Sequence, residues 1–168
     1  DFLPNPPAIA EFSTGETMGE SAEKMAKVNE IARKDQDELA ARSHANAAKA
    51  WNDGIYDNEV LAFPVSPEYK QTVDRDNLVR PDTNYEKLAR LRPVFDRKHG
   101  TVTAGNASPL TDGASAVVLM SEEKAESLGH NALAFIKSWG FAGIDPAWQL
   151  LMGPAFASPI ALDRAGMK

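Results

Sequence analysis

A short segment at residues 100–108 has the composition of a ligand-binding loop. It reads GTVTAGNAS, and its two glycines, Gly100 and Gly105, have the spacing found in phosphate-binding loops. Asn106 and Ala107 follow where such a loop requires Lys and then Ser or Thr, so a P-loop is excluded. A turn of small residues still lets a ligand approach the backbone closely and meet a hydroxyl group. The alternative from the residues alone is a tight turn between strands.

Basic side chains are concentrated in residues 80–98, which carry six Lys or Arg against three Asp or Glu. The whole chain is acidic, with 18 Lys plus Arg, 24 Asp plus Glu and a net charge of −6. This balance excludes a general nucleic-acid-binding surface, which needs a basic face. Because the arginine fork matches phosphate oxygens, the basic segment predicts a phosphate-rich ligand nearby. A solvated helix face is the alternative interpretation.

Cysteine and histidine limit the chemistry further. The chain has no cysteine, which excludes disulfides, thiolate metal sites and a cysteine nucleophile among its residues. His44, His99 and His130 show no metal-ligand spacing, so no metal site is predicted. His44 falls within a predicted helix and is expected to be a hydrogen-bonded packing residue rather than a catalyst.

The predicted helices and strands that position these groups fall into two parts of the chain. The first part is predicted to be mainly helical. Ser21 is a predicted N-cap. A longer, alanine-rich helix is predicted from Arg33 to Asn52, with Gly54 as its stop signal. Residues 60–65 predict a short edge strand, because a proline limits its pairing. A capping box beginning at Thr83 predicts a further short helix.

The second part alternates between strand and helix signals. Strand-forming sequence is found at residues 101–104, 114–120 and 133–139. Ser121 is a predicted helix N-cap, with Gly129 as the stop. Ser158 before Pro159 predicts the start of a last helix, which ends at Gly166. This order predicts α/β layers.

The number of predicted strands is small for an independent sheet. The chain has 168 residues, of which 43% are apolar, enough for one domain or two small ones. Two or three strands leave most sheet edges and faces uncovered, so we expect part of a larger α/β protein. No apolar run approaches the roughly 20 residues that span a bilayer, and no signal peptide is expected.

Longer motifs resemble one family. Residues 100–116 read GTVTAGNASPLTDGASA and closely resemble the signature GTVTAGNAS-x-L-x-DGA-x-A of thiolases. Other stretches agree with that family in the same order: ETMG with SAE at 16–23, QDELAARSH at 36–44, LRPVF at 91–95, and GP with RAG between 153 and 166. The resemblance covers essentially the whole chain. It departs from the family at Ala32, where Ser or Thr is usual, which predicts a helix start without a side-chain cap.

The resemblance implies an α/β fold that is the central part of a thiolase-like fold, with a mostly helical loop domain and incomplete α/β layers. Residues 1–108 would form the loop domain that binds coenzyme A (CoA). Residues 109–131 would be the last strand and helix of the N-terminal half, and residues 132–168 the first strand and helix of the C-terminal half. The nucleophilic cysteine of thiolases lies upstream of this region, and their catalytic histidine and second cysteine lie downstream. We therefore expect no catalytic residue in this chain and no activity from it alone.

The resemblance also implies a set of CoA-binding residues. Arg80 matches the position that contacts the nucleotide phosphate end of CoA. Ser108 matches the serine that hydrogen-bonds the pantetheine arm, and Ala104 and Ala107 match residues along the same path. Met18 matches a loop-domain methionine near the acyl end. No permanently bound cofactor is implied, because CoA is a co-substrate.

Within the family, residues 6–14, 95–100 and 108–113 are similar to 3-ketoacyl-CoA thiolases, the β-subunits of fatty-acid oxidation multienzyme complexes. The implied activity of the parent protein is thiolytic cleavage of 3-ketoacyl-CoA to acyl-CoA and acetyl-CoA, an acyltransferase reaction. The alternatives are a short-chain acetyl-CoA C-acetyltransferase and a non-catalytic CoA-binding, lipid-binding or assembly module.

The expected partners are CoA, 3-ketoacyl-CoA and sister subunits in a homodimer or tetramer. A hydratase/dehydrogenase α-subunit is a further expected partner, whereas nucleic acid and membranes are not. The expected location is the cytoplasm of a bacterium, with the mitochondrion as the alternative.

Overall fold

The computed structural model describes residues 10–111 and 114–168. The chain divides into two compact units. One is Thr17–Pro109, and the other contains Leu110–Lys168 together with the segment that ends at Glu16. Among the described residues, no helix combines the length and apolar character that crossing a membrane would require.

The unit Thr17–Pro109 is built mainly from helices. Two strands pair antiparallel, with Phe63 opposite Val73 and Pro64 opposite Thr72. An isolated bridge joins Pro93 to Thr103. The elements are α1 (Met18–Val28), α2 (Arg33–Asn52), β1 (Phe63–Pro64), β2 (Thr72–Val73) and α3 (Tyr85–Leu88).

Helix α1 begins three residues before the predicted N-cap. Thr17 is the N-cap, and its side chain accepts the backbone N–H of Glu20. The Glu20 carboxylate in turn accepts the backbone N–H of Thr17 at 2.8 Å, which completes a capping box. The prediction of Ser21 as the cap is therefore wrong, and Ser21 is instead buried in the first turn. A reciprocal pair satisfies two donors at the helix end, whereas a lone serine would satisfy one.

Helix α2 has the predicted bounds of Arg33–Asn52. Its N-cap residue Ala32 makes no side-chain capping hydrogen bond, as predicted. Gly54 follows the helix with a φ of 72°, the left-handed conformation in which glycine commonly follows a helix. Helix α3 is capped by Asn84, whose side chain accepts the N–H of Lys87, and not by the predicted Thr83.

Among its described residues, the unit Leu110–Lys168 with its preceding segment carries three helices and a 3-10 turn. Ser121 caps the first of these helices by accepting the N–H of Lys124, as predicted, and Gly129 follows with a φ of 71°. Gly166 ends the last helix, also as predicted. The elements are α4 (Glu122–Ser127), α5 (Pro146–Gln149), the 3-10 turn Leu150–Met152 and α6 (Gly153–Ala165).

Two expectations for this unit are corrected. Helix α6 begins at Gly153 and contains Pro159 in its interior, so the predicted start at Pro159 is wrong. Residues 114–120 and 133–139 form no paired strand in the described part of the chain. Strand assignment requires a ladder of hydrogen bonds to a neighbour. The end of the second segment contacts α6 instead, because the Ser138 hydroxyl donates to the Ala161 carbonyl at 2.6 Å.

Candidate functional site

A cavity of about 380 Å³ lies within the unit Thr17–Pro109. Three of the five residues expected to bind CoA line it, namely Arg80, Ala104 and Ala107. Met18 and Ser108 are not among its lining residues in the described part of the chain. The remaining lining residues are His44, Leu78, Asp82, Thr83, Lys87, Leu88, Leu91, Gly105 and Pro109.

The loop that carries Ala104 and Ala107 is anchored by the buried carboxylate of Glu23 in α1. This carboxylate accepts the backbone N–H of Thr101 at 2.7 Å and that of Val102 at 2.9 Å. It also accepts the Thr101 hydroxyl at 3.0 Å. Glu23 is only 3% exposed, so these bonds lie where water does not replace them.

A second anchor comes from α2, through the fully buried Asp37. Its carboxylate accepts the Asn106 side-chain amide at 2.9 Å and the Arg33 Nε at 2.8 Å. The Asn106 amide also donates to the Thr101 carbonyl at 3.0 Å. Pairing with Arg33 and Asn106 compensates the desolvation of a carboxylate with no exposed surface. The two acidic anchors therefore fix both ends of the 101–106 segment.

The turn itself is closed by Thr103 and Asn106. The Thr103 N–H donates to the Asn106 side-chain oxygen at 2.7 Å, and the Ala107 N–H donates to the Thr103 carbonyl at 3.1 Å. Gly105 lies so close to α3 that a Cβ there would be 2.5 Å from Leu88 Cδ2. A Cβ would also meet the side chain of Leu91, so a larger residue at position 105 would require both leucine side chains to shift.

The turn of residues 96–100, which precedes this loop, is stabilised by the side chain of Asp96. Its carboxylate accepts Lys27 Nζ at 2.6 Å and the backbone N–H groups of Lys98 and His99 at 3.0 and 2.9 Å. The hydrogen bond from Lys27, followed by the two backbone bonds, holds the pKa of Asp96 well below its ordinary 3.8. The same pair raises the pKa of Lys27.

We expect Asp96→Asn to destabilise this protein at neutral pH and to change its response to acid. A depressed carboxyl pKa contributes stability above the ordinary value of 3.8, and this stability is lost as pH falls toward the lower folded value. The gap between wild type and variant in urea midpoint should therefore be constant from pH 7 to 5 and shrink below about pH 4. A gap that stays constant to pH 3 would contradict the assigned role of Asp96.

The charged groups of the cavity are Arg80, Lys87 and Asp82. Lys87 Nζ donates to the Asp82 carboxylate at 2.7 Å and to its carbonyl at 2.7 Å. This hydrogen bond lowers the pKa of Asp82. The Arg80 guanidinium donates to the Asn77 carbonyl at 3.4 Å, a long bond that leaves most of its donors for other partners.

The sequence interpretation missed the place of His44 in this cavity. Its Nδ1 accepts the backbone N–H of Arg80 at 3.2 Å. The expectation of a hydrogen-bonded histidine on a helix is confirmed, but its partner is on a segment 36 residues away. No local pattern signals such a pair.

The remaining two predicted residues lie elsewhere on the same unit. Met18 is the first residue of α1 and is 43% exposed. Ser108 is exposed at the end of the loop, next to Pro109 of the cavity wall. Both side chains are exposed on the surface of this unit.

Comparison with known proteins gives a consistent result. The family model "Thiolase, N-terminal domain" matches residues 3–123. The chain is 56% identical over 99% of its length to a 3-ketoacyl-CoA thiolase of Pseudoalteromonas atlantica. It is 55% identical over its full length to that of Shewanella frigidimarina. The chain spans 38% of the length of each of these relatives.

Solved structures with the same fold include a Bacillus anthracis acetyl-CoA acetyltransferase, with a TM-score of 0.89 and 39% identity. A human mitochondrial 3-ketoacyl-CoA thiolase in complex with CoA matches with a TM-score of 0.86 and 34% identity. The match covers 95% of this chain in each case, and 40% and 39% of those structures. The expected α/β fold, the central part of a thiolase-like fold, is thereby confirmed. The chain belongs to the thiolase family.

Proposed function

We propose that this chain is the CoA-binding portion of a 3-ketoacyl-CoA thiolase of fatty-acid β-oxidation. The observation that carries the proposal is the convergence of Arg80, Ala104 and Ala107 on one cavity from separate parts of the sequence. The identity of 55–56% to 3-ketoacyl-CoA thiolases along the whole chain supports the same function.

The cavity has the chemistry that a phosphorylated, narrow ligand requires. Lys87 of the lining is paired with Asp82, whereas the exposed Arg80 guanidinium makes a long bond to the Asn77 carbonyl and would bind phosphate oxygens. Ala104 and Ala107 present no long side chain, so a slender pantetheine arm would pass close to the backbone of the anchored loop. Ser108 would donate to or accept from a pantetheine amide, and Met18 would contact the acyl end.

The proposed reaction breaks the C2–C3 bond of a 3-ketoacyl-CoA. A thiolate attacks the 3-keto carbon, the acetyl-CoA enolate leaves and takes a proton, and the acyl group remains on the enzyme as a thioester. The thiol of CoA then gives its proton to the acid/base group that protonated the enolate and attacks this thioester, which releases acyl-CoA and restores the thiolate. Because this chain contains no cysteine, the thiolate must come from outside it. We therefore propose that these residues bind and orient CoA and do not catalyse alone.

A short-chain acetyl-CoA acetyltransferase is the second candidate, favoured by the TM-score of 0.89 with the Bacillus anthracis enzyme. Rates of thiolysis by the complete enzyme on 3-ketoacyl-CoA substrates of 4 to about 16 carbons would separate the two. A specificity constant that rises with chain length would support the first candidate, and activity restricted to four carbons would support the second.

Partners and location follow from the proposed family role. We propose a homo-oligomer that assembles with a hydratase/dehydrogenase α-subunit in the cytoplasm of a bacterium. Similarity to thiolases of Pseudoalteromonas and Shewanella species supports the bacterial over the mitochondrial alternative.

We expect Arg80→Ala in the complete enzyme to raise the KM for CoA by roughly 10- to 100-fold while kcat at saturating CoA changes little. A charge-assisted bond to phosphate contributes about 1.5–3 kcal/mol, which corresponds to that range. Steady-state thiolysis at varied CoA concentration measures both constants. The matched control is Arg90→Ala, which removes an exposed arginine of the same unit that does not line the cavity. Equal KM values for wild type and Arg80→Ala would contradict the proposed function.

A further inference from the structure

We propose that His44 is a positioning residue for CoA binding, because it fixes the backbone from which Arg80 enters the cavity. The inference rests on the proposed function, in which the Arg80 guanidinium binds a phosphate of CoA. His44 and Arg80 line the same cavity, and His44 Nδ1 accepts the Arg80 N–H at 3.2 Å.

The hydrogen bond defines the state of the imidazole that performs this task. A backbone N–H only donates, so Nδ1 must present a lone pair. In this arrangement Nδ1 is the acceptor and the ring N–H lies at Nε2. The substitution His44→Phe would keep an aromatic ring of similar size in this space. Because that ring has no nitrogen, the Arg80 N–H would lose its acceptor.

Helix α2 explains why His44 can hold this backbone firmly. His44 lies eleven residues after Arg33, which is about three turns and about 16 Å along the axis, on the same helix face. The Arg33 guanidinium donates to the carbonyls of Leu88 at 2.7 Å and Leu91 at 3.1 Å. One helix thus binds both ends of residues 80–91, through Arg33 at one end and His44 at the other.

Apart from His44, the contacts of Arg80 among the described residues lie within its own loop, where its carbonyl accepts the Thr83 N–H at 3.1 Å. The side chain of Arg80 is exposed, and its intramolecular bond to the Asn77 carbonyl is 3.4 Å long. Asn77 precedes Arg80 by three residues, so this bond moves with the same loop and does not tie it to a helix. The bond to His44 connects Arg80 to a rigid element.

The test is a double-mutant cycle in the complete enzyme, with the KM for CoA, the kcat and the Kd for CoA as readouts. His44→Phe removes the acceptor and keeps the ring, and we expect it to raise the KM for CoA by about 3- to 10-fold with kcat at saturation unchanged. His44→Asn places an amide oxygen near the position of Nδ1 and should restore KM to within about twofold of wild type. In an Arg80→Ala background, His44→Phe should have no further effect.

Each result bears on one of the two proposals. If Arg80→Ala leaves CoA binding unchanged, the proposed function fails. If Arg80→Ala weakens CoA binding and His44→Phe does not, the proposed role of His44 is overturned and the proposed function is retained. A full effect of His44→Phe in the Arg80→Ala background would also overturn it, because His44 would then act independently of Arg80. Urea midpoints check that the variants fold, and His44→Ala replaces His44→Phe in the cycle if the latter does not fold.

Discussion

Replacement of Glu23 by alanine is expected to lower the free energy of unfolding by about 3–5 kcal/mol. The variant removes the acceptor of three hydrogen bonds, two of them from the backbone N–H groups of Thr101 and Val102. Val102 is 6% exposed, so water does not readily take the place of the carboxylate there. Each buried donor left unpaired costs about 1–3 kcal/mol, and the empty volume adds to this.

Glu23→Gln tests whether the negative acceptor, rather than the volume, is what matters. The amide keeps the size of the side chain but offers one acceptor oxygen and points an NH₂ group at donors. We expect about half of the loss caused by alanine. The matched control is Glu38→Ala on the exposed face of α2, expected to change stability by less than about 0.5 kcal/mol. Urea unfolding of the complete enzyme gives these values, and a loss below 1 kcal/mol for Glu23→Ala would refute the anchoring role.

The second large effect is expected for Asp37→Ala, at about 3–5 kcal/mol. Asp37 is fully buried and joins Arg33 of α2 to Asn106 of the loop. Its removal leaves the Arg33 guanidinium and the half-buried Asn106 amide without their shared acceptor, although the amide keeps its bond to the Thr101 carbonyl. The Arg33 side chain is 24% exposed and keeps its bonds to the carbonyls of Leu88 and Leu91. The loss of stability should therefore lie toward the lower end of this range of about 3–5 kcal/mol.

Asp37→Ala should also affect CoA binding, because Asn106 closes the turn between Ala104 and Ala107. We expect the KM for CoA to rise together with the loss of stability, measured by steady-state thiolysis at 15 °C on variant protein whose urea unfolding transition shows that it is folded at that temperature. Asp37→Ala combined with Asn106→Ala should cost less than the sum of the single changes, because the two groups act through one bond. Additive losses would contradict that coupling. Asp35→Ala, an exposed aspartate of the same helix, is the control, with a loss below about 1 kcal/mol.

Local signals predicted several helix ends correctly. Helix α2 extends from Arg33 to Asn52 as the alanine-rich pattern indicated, and Gly54 and Gly166 adopt positive φ after their helices. These features depend on residues within one or two turns of each other, so they can be read from a short window. The start of α1 was missed because two competing caps lie four residues apart, and the reciprocal pair of Thr17 with Glu20 prevails.

The start of α6 and the predicted strands required information that no window contains. Pro154 and Pro159 both suit the first turn of a helix, and the structure begins α6 at Gly153 and includes Pro159. Residues 138–140 lie against this helix, where a Cβ on Gly140 would be 2.5 Å from the Ala157 carbonyl. Packing of this kind, and not propensity, decides how far a helix extends.

The sequence by itself determined the family, the acidic balance, the lack of a cysteine nucleophile and the glycines that end three of the helices, Gly54, Gly129 and Gly166. Its motifs also identified the residues proposed to bind CoA. Only the tertiary structure decided which of them meet, since Glu23 bonds to Thr101 across 78 residues, Asp37 to Asn106 across 69 and His44 to Arg80 across 36. A motif shows which residues are present. The hydrogen-bond partner of a buried polar group is instead a residue that the fold brings next to it. That partner depends on how the helices pack.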